Sequence, residues 1–73
     1  MTEKLKEGLR LLLTCRLAAQ SCSVDPKTWR NWHERGLVPP PVRIGSSIFW
    51  RTAELMKWTE EGCPNRDNWT YRN

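Results

Sequence analysis

Apolar and polar positions alternate with helical spacing between Asp25 and Gly36, and the pattern predicts a short helix with two opposed faces. Asp25 is a good N-cap, Pro26 suits the first helical position, and Gly36 supplies the left-handed residue with which many helices end. We expect the apolar face in a core, with Trp32 largely buried, and the polar face at the surface. The apolar face carries Trp29, Trp32, His33 and Gly36, and the opposite face carries Lys27, Arg30, Asn31 and Glu34, with Thr28 at its edge.

A shorter helix is predicted before this one, from about Cys15 to Cys22, with Thr14 as its N-cap. Because only a few residues around Ser23 and Val24 separate the two helices, the second must pack directly against the first. A tight turn between two helices, with polar residues at the start of the second, is typical of a helix-turn-helix. The apolar residues 9–13 before Thr14 are either a short strand or an extended lead-in.

A small β-hairpin, or wing, is predicted after the second helix. Pro39–Pro41 cannot be helical, and we interpret it as a stiff, polyproline-like crossing. Two β-prone runs follow, Val42–Ile44 and Ile48–Trp50, with Gly45-Ser46-Ser47 as the turn between them.

A last helix is predicted from about Ala53 to Glu61, with Thr52 as its cap and Gly62 at its end. Its acidic residues make it a poor surface for DNA, so we interpret it as a cover for the core. Its core face is expected to carry Leu55, Trp58 and Thr59, and its solvent face Glu54, Lys57 and Glu61.

Together these elements predict an α+β fold, a small winged helix-turn-helix with three helices and a short two-stranded wing. Five tryptophans supply a bulky core for one small domain in a chain of 73 residues. We expect the domain over residues 12–62, an N-terminal arm over residues 1–11 and a C-terminal tail over residues 63–73. The tail carries Trp69 and Tyr71, and is expected either to be disordered or to dock these aromatic residues on a partner.

Charge narrows the class of partner. The chain has a net charge of +4. The segment from Pro26 to Arg51 contains five basic residues and one acidic residue, Glu34. A basic centre in an otherwise nearly neutral chain is the footprint of a polyanion partner. The chain is too short for a pocket that encloses a substrate, and no nucleophile lies at a fixed spacing from His33, so we do not expect an enzyme.

The three cysteines, Cys15, Cys22 and Cys63, lack CxxC spacing. A zinc site of three cysteines and His33 has no recognisable spacing, so we expect free thiols in a reducing cytoplasm and no metal or cofactor. The chain contains neither an apolar run of membrane-spanning length nor a signal-peptide core. A soluble protein without a membrane partner is therefore expected.

The polar face of the second helix suits the major groove of DNA, because Arg and Lys pair with guanine edges and phosphates and Asn pairs with adenine. From this face alone, a solvated helix with ordinary charges is an equally good interpretation. On the hairpin, an arginine and two hydroxyl groups fit phosphate oxygens, although the hairpin also serves to close the core. The candidate DNA contacts are Lys27, Thr28, Arg30 and Asn31 on the helix, and Arg43, Gly45, Ser46, Ser47 and Arg16 for the wing and backbone.

Over about residues 12–60, the chain resembles the small winged-helix proteins of the excisionase and AlpA-like group, which are related to the MerR DNA-binding domain. The likeness is greatest to the lambda-type phage excisionases. The ordered set that carries it is Leu13-Thr14, Ala18-Ala19, Ser23-Val24-Asp25, Thr28-Trp29-Arg30, Trp32, Gly36, Pro39-Pro40-Pro41-Val42-Arg43, Gly45, Trp50, Glu54-Leu55 and Trp58. The chain departs from the lambda-type pattern at Asn31 and Glu34, where further arginines are usual, so the DNA sequence it reads should differ.

The resemblance implies a protein that binds double-stranded DNA near the attachment site of a prophage or genomic island, in the cytoplasm of a bacterial host. Several copies would bind cooperatively, bend the DNA and bias a site-specific integrase, expected to be of the tyrosine type, towards excision. The second helix would lie in the major groove and the wing against the minor groove and backbone. AlpA-like relatives instead regulate transcription. A further alternative is a protein-interaction module whose basic face meets an acidic partner.

Overall fold

The computed structural model describes residues 10–70, which form three α-helices and a three-stranded antiparallel sheet. In chain order these elements are β1 (Leu12–Leu13), α1 (Cys15–Ser21), α2 (Pro26–Glu34), β2 (Val42–Ile44), β3 (Ser47–Arg51) and α3 (Thr52–Glu60), followed by a 3₁₀ turn, Arg66–Asn68. The α+β class expected from the sequence is confirmed. Most of the expected N-terminal arm, and Tyr71 of the tail, lie outside the described residues.

Side-chain caps begin the first two helices, as predicted. The hydroxyl of Thr14 accepts the backbone N–H of Leu17 at 3.2 Å, and a carboxylate oxygen of Asp25 accepts the backbone N–H of Thr28 at 2.8 Å. After α2 the chain turns at Gly36, whose φ of +71° lies in the left-handed region that favours glycine.

The cap expected at Thr52 is wrong. Thr52 is the first residue of α3, and Arg51 occupies the cap position without a side-chain hydrogen bond to the helix. The Thr52 hydroxyl instead donates to the backbone carbonyl of Arg10. The Thr52 backbone N–H donates to the carbonyl of Leu11 at 3.0 Å. The hydroxyl and the backbone N–H of Thr52 therefore both link the start of α3 to the residues just before β1.

Of the two interpretations of residues 9–13, the strand is confirmed for Leu12–Leu13. Strand β3 lies between β1 and β2, with Leu13 opposite Trp50 and Val42 opposite Phe49. The sheet thus has one strand more than the two-stranded wing predicted from the sequence. Because β1 pairs with β3, the hairpin is joined to the body of the protein by backbone hydrogen bonds as well as by packing.

Trp29 forms the centre of the core and is 0% exposed. Its ring contacts Trp50 and Trp58 edge-on, with centroids 5.7 and 6.3 Å apart, and lies 6.2 Å from the ring of Trp32. Aromatic rings favour such tilted arrangements because the positive edge of one ring meets the negative face of the other. The remaining buried apolar residues are Leu13, Ala18, Ala19, Val38, Pro39 and Leu55.

The expectation that Trp32 is largely buried is wrong, since Trp32 is only half-buried at the side of this core. Both tryptophans lie on the apolar face of α2, but only Trp29 is enclosed between β3 and α3. Trp32 borders an open cleft of about 430 Å³, whose lining includes Cys22, Leu37, Trp58 and Cys63. The helical spacing identified the correct face of α2 but not the depth of each residue on it.

The faces expected for Glu54 and Thr59 of α3 are wrong, since Glu54 was expected in solvent and Thr59 against the core. Thr59 is exposed, whereas Glu54 is buried, at 3% exposure. The Glu54 carboxylate accepts the indole N–H of Trp69 at 2.8 Å and pairs with the guanidinium of Arg51 at 3.4 Å. These two partners compensate the carboxylate for the water it loses on burial.

Part of the tail, residues 63–69, packs back onto the domain and is therefore ordered. The indole N–H of Trp58 donates to the carbonyl of Pro64 at 2.8 Å, and Trp69 packs against the core. Trp69, one of the two aromatic residues of the tail, therefore packs against its own chain.

Candidate nucleic-acid interface

One face of α2 presents polar side chains to solvent while the other anchors the helix in the core. Lys27, Arg30 and Asn31 are exposed, and the fully buried Trp29 holds the opposite side. Among the described residues, these three side chains make no hydrogen bond or ion pair within the protein, so their donors are free for a ligand. The structure thus brings together three of the four helix residues predicted to contact DNA.

The fourth predicted helix residue, Thr28, is half-buried at the N-terminal end of this face. The backbone N–H and the hydroxyl of Thr28 both bind the Asp25 carboxylate, and these bonds, together with the nearby positive charge of Lys27, hold the pKa of Asp25 below its ordinary value. The hydroxyl of Thr28 is therefore shared with the helix cap.

The other end of α2 is held by Arg66, a contact that the sequence did not suggest. The guanidinium donates to the backbone carbonyls of Val38 at 3.0 Å and His33 at 3.3 Å, and lies 3.1 Å from Nδ1 of His33. The backbone N–H of Arg66 donates to the carbonyl of Gly36 at 2.9 Å. Arg66 lies 33 residues beyond His33, and no local pattern marks a contact over that separation.

His33 is neutral in this arrangement, because its Nδ1 must accept the hydrogen bond from Arg66. Its ring also packs edge-on against Trp50, with centroids 5.4 Å apart. Burial, followed by the positive charge of Arg66, lowers the pKa of His33 from its ordinary value of 6.5, although the charge of Glu34 opposes the change. His33 therefore supports the position of α2 and is turned away from its cationic face.

The tip of the β2–β3 hairpin is a two-residue turn. Ile44 pairs with Ser47, so only Gly45 and Ser46 connect the strands. Gly45 has a φ of +61°, as a tight hairpin turn of the II′ type requires at its first central position. Ser47 thus belongs to strand β3 and not to the turn in which the sequence pattern placed it.

All four predicted hairpin residues, Arg43, Gly45, Ser46 and Ser47, are exposed. The side chains of Arg43, Ser46 and Ser47 form no hydrogen bonds with other described residues, which leaves one guanidinium and two hydroxyl groups at the end of the hairpin. Such groups can bind phosphate oxygens without reading base sequence.

Arg16 is exposed near the start of α1. The thiol of its neighbour Cys15 lies 3.7 Å from the carbonyl of Pro26, which brings the first turns of α1 and α2 together. Arg16 and Lys27 each follow one of these two contacting residues in the sequence.

Apolar residues cover the outer face of the hairpin, which sequence reasoning treated as part of the core. The hairpin residues that pack on the core are Ile48 and Trp50. Because side chains alternate along a strand and paired residues share a face, Val42, Ile44 and Phe49 lie on the opposite side. Ile44 is 53% exposed there. The sequence feature that could have revealed this outer face is the run Ile48-Phe49-Trp50, because three consecutive apolar residues in a strand must occupy both faces.

Neither a metal centre nor a membrane span is visible in residues 10–70. That range contains no cluster of three or more His, Cys, Asp or Glu residues arranged to hold a metal ion. The cysteines are free, and burial raises the pKa of the Cys22 thiol, with a smaller contribution from Cys63. None of the described helices has the length and apolar character needed to cross a membrane.

Comparison of the chain with protein-family models, with curated proteins and with solved structures gives no match. What this surface can bind therefore follows from its own chemistry. It presents two free cationic groups and a carboxamide on one rigid helix, and a free guanidinium on a hairpin joined to the same core.

Proposed function

We propose that this protein is a winged helix-turn-helix that binds duplex DNA at specific sequences, with α2 in the major groove and the β2–β3 hairpin against the minor groove and backbone. The observation that carries the proposal is the exposed face of α2. Its Lys27, Arg30 and Asn31 side chains are unpaired within the described residues, and Trp29 on the opposite side fixes the helix in the core. A rigid helix with free, directional donors is what readout of base edges needs.

The three side chains suit different parts of a major-groove site. The planar fork of Arg30 matches the two acceptors of guanine, and the carboxamide of Asn31 matches the donor and acceptor of adenine. Lys27, near the first turn, is suited to a phosphate or a guanine edge. One good bidentate contact discriminates against a wrong base by about 1–3 kcal/mol, so two of them give useful selectivity.

Charge on the hairpin supports the same partner. No acidic residue occurs between Glu34 and Glu54, and this segment contains the exposed Arg43. With the hydroxyls of Ser46 and Ser47, Arg43 can fix the position of the hairpin on the backbone. Arg16 would add a further phosphate contact beside the first turn of α2. Contacts of this kind orient a protein on DNA and give the affinity its dependence on salt.

Within this function, we infer an excisionase role, in which the protein bends DNA so that an integrase excises a mobile element. Support comes from the resemblance to lambda-type excisionases and from size, since one recognition helix covers only a few base pairs and needs neighbouring copies to define a genomic site. The AlpA-like part of the same resemblance supports a second candidate, regulation of transcription at a prophage or island promoter.

The first experiment selects duplexes from a random library with the full chain, and then measures affinity for the selected site and for a scrambled one. Arg30→Ala should weaken binding to the selected site by about 1–3 kcal/mol and relax base preference at one position. The matched control is Lys57→Ala, which removes an exposed cation from α3 that is paired with Glu61 at 3.8 Å. Unchanged affinity and base preference in Arg30→Ala would refute the groove assignment.

Excision and transcription are separated by titration of one and then several tandem copies of the selected site. An excisionase should bind adjacent copies cooperatively and increase the curvature of the DNA. Equal affinity for every copy, with no change in curvature, would exclude the excisionase role and favour the transcriptional one. Binding that is insensitive to salt would refute both and support a protein partner for the basic face.

A further inference from the structure

The outer face of the β2–β3 hairpin is more apolar than its position requires. Val42 and Phe49 form a cross-strand pair on that face, and Ile44 continues it towards the tip at 53% exposure. The core lies on the other side of the hairpin, against Ile48 and Trp50. Val42 and Phe49 are half-buried, so most of the apolar surface exposed on this face belongs to Ile44, and its contact with water is unfavourable unless a partner covers it.

Ile44 is held firmly at the end of this apolar face. It is the last residue of β2, paired with Ser47, and the turn at Gly45 follows immediately. A two-residue turn fixes the register of a hairpin, and a β-branched side chain has few rotamers. Ile44 is therefore a stiff apolar projection and not a flexible loop residue.

The charge of the hairpin as a whole favours DNA as the partner. Arg43 precedes Ile44 in the chain but pairs with Ile48, so its side chain leaves the opposite face of the hairpin. Arg51 lies on the outer face, two residues beyond Phe49, and remains half-exposed although it is paired with Glu54. The hairpin contains no acidic residue. Apolar residues bordered by arginine are the combination with which architectural proteins enter the minor groove, where Ile or Phe wedges between base steps and the cations meet phosphates.

We propose that Ile44 is a wedge that enters the minor groove of bound DNA and kinks it, with Val42 and Phe49 packed against the sugars behind it. The inference rests on the proposed DNA binding and adds a mechanism for bending to it. Unstacking one base step costs a few kcal/mol, which the apolar contact and the additional phosphate contacts of the bent duplex offset. A flexible pyrimidine–purine step beneath the hairpin would lower that cost.

The test measures the bend and the affinity separately, using the full chain and the selected duplex. Energy transfer between dyes at the two ends of the duplex reports the bend, and the fluorescence of 2-aminopurine placed beneath the hairpin reports unstacking. The wild type should bend the DNA by about 20–90° and raise the 2-aminopurine signal. Ile44→Ala should keep the base preference set by α2 but lose about half of the bend or more, together with the signal.

Two further variants make the comparison specific. Met56→Ala removes a similarly exposed apolar side chain from α3, at 59% exposure, and should leave the bend unchanged. Ile44→Lys should bind all duplexes more tightly through its added charge, while bending them less than the wild type does. This variant separates attraction to DNA from insertion into it.

Each result bears on one of the two proposals. If wild-type protein does not bind duplex DNA, the proposed function fails and the wedge fails with it. If it binds with sequence preference but leaves the DNA straight, or if Ile44→Ala bends DNA as the wild type does, only the wedge is overturned. A wild-type dimer in solution that Ile44→Ala converts to a monomer would assign the outer face to a second copy and also overturn the wedge.

Discussion

Helices α2 and α3 are equally long, at nine residues each, but use their polar side chains in opposite ways. Each helix contributes one buried tryptophan to the core, Trp29 from α2 and Trp58 from α3, and these rings meet edge-on. Two charged residues of α3 are paired, Glu54 with Arg51 and the indole of Trp69, and Lys57 with Glu61, whereas the exposed Glu60 forms no ion pair with another described residue.

On α2, by contrast, the exposed cations have no ion-pair partner among the described residues. The exposed donors of α2 that stay open are available to a ligand, whereas the paired groups of α3 act within the fold. This difference between the two helices is the observation on which we base the proposal that α2 is the binding surface.

The largest effect is expected where α2 and α3 meet, at Trp29. Trp29→Ala should cost about 3–5 kcal/mol of unfolding free energy, comparable with the whole stability of so small a domain, so the variant should be unfolded. Trp32→Ala, at a half-buried position, should cost roughly half as much and leave a cooperative transition. Urea unfolding followed by circular dichroism measures both.

Trp29→Phe provides a second comparison at this position. The indole nitrogen of Trp29 is buried and has no hydrogen-bond partner among the described residues. Phenylalanine keeps a ring against Trp50 and Trp58 and removes this unsatisfied donor, so Trp29→Phe should remain folded. A larger loss of stability in Trp32→Ala than in Trp29→Ala would show that the centre of the core is assigned to the wrong residue.

The next effect tests whether α3 is stabilised by its internal pairs. Glu54→Ala removes a buried carboxylate that accepts the indole N–H of Trp69, and should cost about 1–3 kcal/mol of unfolding free energy. Glu61→Ala removes the exposed partner of Lys57 at the cap position just beyond the same helix and should cost less than about 0.5 kcal/mol. If Glu54→Ala and Glu61→Ala lowered the free energy of unfolding by the same amount, the buried contacts of Glu54 would add nothing beyond those of an exposed pair.

Local chemistry accounts for the parts of the fold that could be predicted from the sequence. The caps at Thr14 and Asp25, the glycine turn at Gly36 and the hairpin around Gly45 each depend on a few neighbouring residues, and the structure contains all four. The exposure of Lys27, Arg30 and Asn31 also followed from helical spacing alone.

Features that depend on distant residues could not be predicted. Periodicity places Trp29 and Trp32 on one face of α2 but does not reveal that β3 and α3 enclose only the first. The contacts of Arg66 with the end of α2, and of Trp69 with Glu54, join segments with no shared local pattern. Glu54 follows the periodicity of a solvent-facing charge, and only the returning tail explains its burial.

The variants Arg43→Ala and Arg30→Ala should affect DNA binding differently, because the first should lower affinity for every sequence and the second should change base preference. We propose that Arg43 contacts phosphate, so its loss should weaken selected and scrambled duplexes alike and reduce the slope of log affinity against log salt by about 1. Fluorescence anisotropy at several salt concentrations measures both quantities. A change in base preference in Arg43→Ala would instead indicate that the hairpin reads sequence directly.

The smallest effect is expected at His33, where the end of α2 meets Arg66. The pKa of His33 is lower in the folded protein than its ordinary value of 6.5, because of burial and then the charge of Arg66. As pH falls through 6.5, the unfolded chain therefore takes up a proton before the folded one does, and the free energy of unfolding decreases. The decrease should begin near pH 7 and level off once the folded imidazole is also protonated.

His33→Asn is the matched variant, because its side-chain oxygen can accept the Arg66 hydrogen bond but does not titrate. His33 is the only histidine in the chain, and the lowered pKa of Asp25 belongs to a more acidic range, so urea unfolding between pH 7.5 and 5.5 isolates this group. The wild type should lose stability over that interval while His33→Asn stays nearly constant. Parallel curves for the two proteins would show that protonation of His33 is not coupled to the contact between Arg66 and α2.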